Sequence, residues 1–198
     1  MKVKNFGIFR LILSVFIIGS FATGKTFSET NNLNSLFLEI NGKKEGVIEI
    51  HLNFENAPKA SFRLADLANR GLYNGVTFHR VIDGFMAQTG DVQFGNISNY
   101  DPTSVGRGGS QFPDLVAEFS NIPFVRGTVG MARSQNPDSA NSQFFIMFEE
   151  AAHLNGKYTV VGQVVSGIEV LMNIKRGNIS TGLMYQPDYI SRAWTAEN

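Results

Sequence analysis

Short apolar runs recur along this chain at residues 76–82, 85–88, 127–132, 143–148 and 158–165, separated by segments carrying Gly, Asn or Pro. Runs of this length suit strands, because a helix needs about ten residues or more to bury a stripe. Turn-forming residues at such intervals point to an all-β barrel or sandwich with helical additions. Two earlier runs, residues 36–40 and 47–52, flank Asn41-Gly42 and a short charged stretch, the pattern of a β-hairpin. In the second run Ile48, Ile50 and Leu52 share one face and Glu49 and His51 the other, which places His51 at the surface.

Helical spacing occurs in two segments. Asn56 is placed to cap a helix running to about Leu72, with Pro58 in its first turn and Ala60, Leu64, Leu67, Ala68 and Gly71 forming one apolar stripe. Ser166-Gly167-Ile168-Glu169 has the form of a capping box, followed by Ile168, Leu171, Met172 and Lys175 at helical spacing before Gly177. The tail from Met184 reads as one last strand. No repeat or linker divides the chain, so residues 33–195 are expected to form a single domain.

The N-terminus has a different character. Lys2, Lys4 and Arg10 precede the apolar stretch of residues 11–21, and small residues follow at Ala22, Gly24 and Ser28. This is the three-part pattern of a secretory signal, predicting a removable segment at residues 1–28 with cleavage after Ala22 or Ser28. The apolar stretch falls well short of the roughly 20 residues that span a bilayer, so no stable membrane insertion is expected once it is removed. Residues 1–28 hold four basic residues and no acid; of the 17 basic and 17 acidic residues in the chain, 13 and 17 remain. A net negative mature chain argues against a nucleic-acid surface.

The chain has no cysteine, which excludes disulfides, thiolate metal sites and a cysteine nucleophile. His51, His79 and His153 lack helical ligand spacing, so neither a metal nor a cofactor is expected. Export without disulfides fits a bacterial periplasm.

Residues 78–91, FHRVIDGFMAQTGD, and residues 127–146, GTVGMARSQNPDSANSQFFI, together resemble the two signature segments of the cyclophilins, and residues 153–167 continue the match. The resemblance is to exported bacterial members. It implies an eight-stranded antiparallel closed β-barrel capped by two α-helices, with a proline-binding groove on the outer wall. It also implies peptidyl-prolyl cis/trans isomerase activity on flexible, proline-containing polypeptides, a monomer, and a role in folding exported proteins. Residue by residue, Arg80 matches the family's catalytic arginine, with Phe85 and Gln88 beside it. Met86, Phe145 and Leu154 match the proline pocket, Gln143 a polar position, and Ala132 and Arg133 the place where the family's backbone pairs with bound peptide. Tyr158 replaces a frequent histidine, and His153 stands where many members carry tryptophan, which implies weak binding of the family's inhibitor cyclosporin. Thr89 replaces a usual glycine, and the stretch before Gly106-Arg107-Gly108-Gly109 is longer than usual and reads as a tolerated surface insertion.

Turning a prolyl bond breaks nothing covalent. It requires a site that binds the twisted amide better than either planar form, hence a fixed donor and an apolar pocket rather than a nucleophile. Three other readings compete. One is a cyclophilin-fold binding module or chaperone with little catalysis. Another is a hydrolase using Ser142, His79 and Asp91, although no nucleophile elbow surrounds Ser142 and His79 and Arg80 should face opposite ways in a strand. The last takes Gly106–Gly109 as a phosphate cradle, where a turn is the simpler use.

Overall fold

A computed structural model describes residues 34–196. The predicted signal segment therefore lies outside the described residues. Eight strands form one antiparallel sheet: β1 (Ser35–Asn41), β2 (Gly46–Leu52), β3 (Arg80–Ile82), β4 (Met86–Thr89), β5 (Thr128–Met131), β6 (Phe144–Met147), β7 (Val160–Ser166) and β8 (Tyr189–Thr195). Their order is β3-β4-β6-β5-β7-β2-β1-β8. Helix α1 (Pro58–Asn69) follows the first hairpin and helix α2 (Ile168–Leu171) follows β7.

The fold is mainly β as expected, but the sheet is an open half-barrel rather than a closed barrel. The end strands β3 and β8 share no ladder. The seam is spanned by the isolated bridges Thr77↔Tyr189 and Arg80↔Leu183. Loop backbone supplies the bonds: Val81 N–H donates to the Gly182 carbonyl at 2.8 Å and Met184 N–H to the His79 carbonyl at 3.1 Å. With only three residues, β3 is too short to pair continuously with the seven of β8, and the 182–184 loop occupies part of its free edge.

The alternation of side chains across the sheet separates two apolar regions. Leu36, Leu38, Ile48, Ile50, Val129, Phe144, Ile146 and Val161 fill the interior with Leu64 and Leu67 of α1 and Val170 and Leu171 of α2. Their intervening neighbours Met86, Phe145, Met147 and Val160 form a second cluster on the outer wall with Phe124, Ala151 and Leu154. Strand β6, FFIM, is buried on both faces for this reason.

Both helix starts depart from the local reading. Asn56 does not cap α1; it donates to the side chain of Asn53, and the carboxylate of Glu118 accepts from the Lys59 and Ala60 N–H groups at 3.1 and 3.0 Å. A partner 58 residues away does the capping, which no local pattern reveals. The capping box at Ser166 does not form either, because Ser166 is still in β7, paired with Glu49. Gly167 takes φ +78, and a Cβ there would strike the Val47 carbonyl oxygen. The chain must turn tightly at a glycine, and α2 is one short turn instead of a helix reaching Gly177.

Candidate active site

Strand register lays out the site. Arg80 on β3 sits opposite Gln88 on β4, Gln88 opposite Phe145 on β6, Phe145 opposite Gly130 on β5, and Gly130 opposite Val160 on β7. Directly opposed residues share a face, so one row across five strands carries a guanidinium, an amide and a phenyl ring onto the outer wall. A second row places Ile82, Met86 and Met147 beside it. After the turn at Asp83-Gly84, Phe85 is fixed by its N–H to the Ile82 carbonyl and by the Phe148 N–H to its own carbonyl. The single turn Ala152–Leu154 supplies His153 and Leu154 to the opposite rim.

These elements enclose a cavity of about 360 Å³. Ten of the eleven sequence-predicted site residues line it: Arg80, Phe85, Met86, Gln88, Ala132, Arg133, Phe145, His153, Leu154 and Tyr158. The eleventh, Gln143, lines an adjoining cavity of about 280 Å³ that shares Gln88, Ala132 and Arg133 with the first. Phe145 forms the floor, stacked on Phe124 with centroids 5.7 Å apart and edge-on to Tyr158 at 5.7 Å. His153 stacks on Phe85 at 5.9 Å, an aromatic contact in the place where indole was expected from relatives.

A polar chain runs along one side of the apolar floor. Gly108 accepts from Gln143 Nε2 at 2.8 Å, Gln143 Oε1 accepts from Gln88 Nε2 at 2.9 Å, and Gln88 Oε1 faces Arg80 Nη1 at 3.4 Å. Arg80 Nε also donates to the Thr181 carbonyl at 3.2 Å. Burial lowers the Arg80 pKa, opposed by Tyr158, but a guanidinium starts so high that it stays charged at neutral pH. The side chain is therefore a held cation with donors to spare beside the apolar floor of the cavity.

The alternation that turns Arg80 outward turns His79 inward, where it is 3% exposed. Neither of its ring nitrogens has a hydrogen-bond partner, and burial lowers its pKa to about 4 against the pull of Asp91. Ser142 Oγ donates to the Gly90 carbonyl, and Asp91 accepts from the N–H groups of Gln93, Phe94, Gly106 and Gly108. Ser142, His79 and Asp91 thus perform three separate tasks, and no triad is assembled. The Gly106–Gly109 cradle already holds an anion, the protein's own Asp91.

Thr89 and the stretch after Asp91, both singled out in the sequence, have defined places in the fold. Thr89 is fully buried with its hydroxyl donating to the Thr77 carbonyl at 2.9 Å. None of residues 92–104 lines either cavity. The sequence reading missed Gly130 and Phe124. A glycine inside the apolar run of residues 127–132 is a signal of close approach and could have pointed to Gly130; Phe124 lies outside any strand and gave no pattern.

A half-barrel whose outer wall sets a fixed guanidinium beside a cavity with an apolar floor fits a binding-and-twisting site of the prolyl isomerase class. Residues 37–194 match the model of the cyclophilin type peptidyl-prolyl cis-trans isomerase/CLD family, and the chain belongs to that family. A probable peptidyl-prolyl cis-trans isomerase of Brucella suis is 51% identical over 185 residues, covering 92% of this chain and 93% of that protein. Peptidyl-prolyl cis-trans isomerase-like 3 of Rattus norvegicus is 40% identical over 66% of this chain and 77% of its own length. Among solved structures, a Hirschia baltica cyclophilin shares the fold with a TM-score of 0.68 at 24% identity, covering 83% of this chain and 74% of that one. A Cryptosporidium parvum cyclophilin type isomerase, crystallised in the presence of the dipeptide Ala-Pro, also gives 0.68, at 25% identity over 83% of this chain and 99% of that one. The protein is a peptidyl-prolyl cis-trans isomerase.

Proposed function

We propose that the isomerase reaction runs at the cavity of Arg80, Phe85 and Gln88, and that it assists the folding of exported proteins. The observation that carries this reading is the row Arg80, Gln88, Phe145, which sets a charged donor beside an apolar seat on one rigid sheet face. Amide resonance opposes rotation with a barrier of about 18–20 kcal/mol. As the bond twists, the prolyl nitrogen regains its lone pair, and the Arg80 guanidinium can donate to it only then. The interaction is stronger in the transition state than in either planar form, which is what lowers the barrier. Phe85, Met86, Phe145 and Leu154 hold the pyrrolidine ring and exclude water, while Gln88 fixes the carbonyl before it. Ala132 and Arg133 would pair with the peptide backbone, with Gln143, His153 and Tyr158 completing the walls. Proline-containing peptide as ligand is supported by the Cryptosporidium relative and its dipeptide.

The reading is tested by NMR exchange between cis and trans forms of a prolyl peptide. Wild-type protein accelerates exchange, and Arg80→Ala reduces kcat/KM about 10²- to 10³-fold, the usual loss for a transition-state donor. Unchanged exchange in Arg80→Ala would remove Arg80 from the mechanism. Exchange no faster than peptide alone in the wild type would favour the binding-module alternative. The export role is supported by the pattern of residues 1–28, and a chain without cysteine suits a bacterial periplasm, where the proposed mature enzyme would act as a monomer. Sequencing the N-terminus of the cell-envelope form should find a chain starting after Ala22 or Ser28; an intact cytoplasmic Met1 would reject it.

A further inference from the structure

We infer that Arg107 and Arg133 make this isomerase selective for proline segments with an acidic side chain one or two residues before the proline. The inference rests on the reading of Arg80 and Gln88 given above. The 280 Å³ cavity beside the proline seat is lined by Arg107 and Arg133 together with Gln88, Ser134, Ser139 and Asn141, and no carboxylate lines it. Neither arginine takes part in an ion pair among the described residues.

Their surroundings differ in a useful way. The Arg133 guanidinium lies 4.3 Å over the Tyr158 ring and donates to the Ser134, Gln135 and Lys157 carbonyls. Those bonds fix its position but leave its charge uncompensated, since carbonyl oxygens carry only a dipole. Arg107 is exposed and makes no hydrogen bond among the described residues, so it can swing to meet a ligand. The acids nearby do not line the cavity: Asp91 is fully buried and held by four backbone N–H groups, Asp114 accepts from Asn141, and Asp138 accepts from the Ala117 N–H. The result is a concave positive spot in a chain that is net negative once residues 1–28 are removed, and concave sites of one sign focus their field on an entering charge.

The direction of the peptide follows from Gln88. It borders both cavities, and in the mechanism it holds the carbonyl of the residue before proline. The chain on that side of the proline is therefore led into the second cavity, and a spacing of about 3.8 Å between successive Cα atoms brings the first or second residue within reach. A carboxylate there meets the fixed positive charge of Arg133, which keeps one Nη2 hydrogen free, and a mobile guanidinium fork from Arg107, the bidentate chemistry for which arginine is suited.

Three peptide sets carrying Glu, Gln or Lys at either of those positions, otherwise identical, are compared by NMR exchange at low salt. Glu should exceed Lys in kcat/KM by about five- to thirtyfold, with Gln between, and the gap should narrow in high salt. The ratio of Glu to Lys should fall towards one in Arg107→Gln and in Arg107→Gln/Arg133→Gln. Because the ratio is taken on one protein sample, loss of folded material in a variant does not mimic the effect. Equal turnover of Glu and Lys peptides by the wild type overturns the inference while leaving the isomerase site standing, as does a ratio unmoved in both variants. No turnover of any peptide overturns the site assignment and this inference with it.

Discussion

Gly130→Ala tests whether the outer wall, and not the interior, sets the shape of the proline seat. Gly130 is buried in β5, and its backbone is not in the left-handed region, so alanine meets no conformational penalty. The obstacle is space. A Cβ at this position would lie 2.5 Å from Cζ of Phe145 and 2.7 Å from Cε1 of Phe124. Unstrained carbon pairs sit at about 3.5–4.0 Å, so both rings must retreat by about 1 Å. Phe124 is fully buried and has little room to yield, whereas Phe145 borders the cavity. Phe145 should therefore move into the seat. Overpacking costs about 1–3 kcal/mol, and replacing a strand glycine returns about 0.5–1 kcal/mol of backbone entropy, leaving a net loss of about 0–2.5 kcal/mol. A misplacement of about 1 Å at the reacting centre can cost about 10²-fold in rate. Urea unfolding and prolyl-peptide exchange on the same variant should show kcat/KM falling much further than stability. Phe145→Leu added to Gly130→Ala should recover part of the stability, giving a non-additive pair as expected for residues in contact. Wild-type activity in Gly130→Ala, whatever its stability, would refute the idea that Phe145 shapes the seat.

Two further outcomes follow from single side chains. His79 has its pKa lowered to about 4 by burial, against about 6.5 in an unfolded chain, so the unfolded form binds the extra proton first. Stability from neutral His79 is complete above pH 6.5 and is lost as pH falls towards 4, by on the order of 3 kcal/mol. His79→Leu, which removes two unpartnered nitrogens, should flatten that part of the urea-stability profile; an unchanged slope between pH 6.5 and 4 would contradict the assignment. His153 offers less apolar area than an indole, so the wild type should resist cyclosporin at nanomolar concentration and His153→Trp should gain sensitivity, read as inhibition of exchange. Nanomolar inhibition of the wild type would show that His153 on Phe85 is as good a platform.

Much of this fold is written in local patterns, and what is not has a common cause. The hairpin of β1 and β2, the alternation Ile48, Ile50, Leu52, and the buried stripe Ala60, Leu64, Leu67 and Ala68 of α1 follow from side-chain period alone and are as expected, although the helix stops at Asn69, before Gly71 and Leu72. Arg80, Met86, Gln88 and Phe145 lie on strands whose register brings them together, while Phe85, Ala132, Arg133, Gln143, His153, Leu154 and Tyr158 lie in the adjoining turns and loops, and the motif supplied the names. The failures are long-range. Glu118 caps α1 from across the chain, Val47 forces the turn at Gly167, and the 182–184 loop takes the edge of β3 that a closed barrel would have paired with β8. Gly130 and Phe124 were missed for a related reason: both act by filling or vacating space behind Phe145, and space is a property of the packed molecule.

The glycine cluster shows how one such long-range contact reaches the chemistry. Its backbone N–H groups form an anion nest, but Asp91, fully buried, fills the nest with its own carboxylate. Asp91 closes the signature segment that begins at Phe78, so the carboxylate fastens the loop to the strand bearing Gln88. Gly108, held by that bond, presents its carbonyl to Gln143, which positions Gln88, which faces Arg80. The residues between Asp91 and Gly106 begin and end on the same carboxylate, and the Gly95 N–H returns to the Asp91 carbonyl. The two ends of the segment are thus fixed to one buried group. The loop also reaches the surroundings of the arginine, because Tyr100 donates to the Met184 carbonyl at 2.6 Å and Val105 lines a cavity of about 350 Å³ with Arg80 and Gln88.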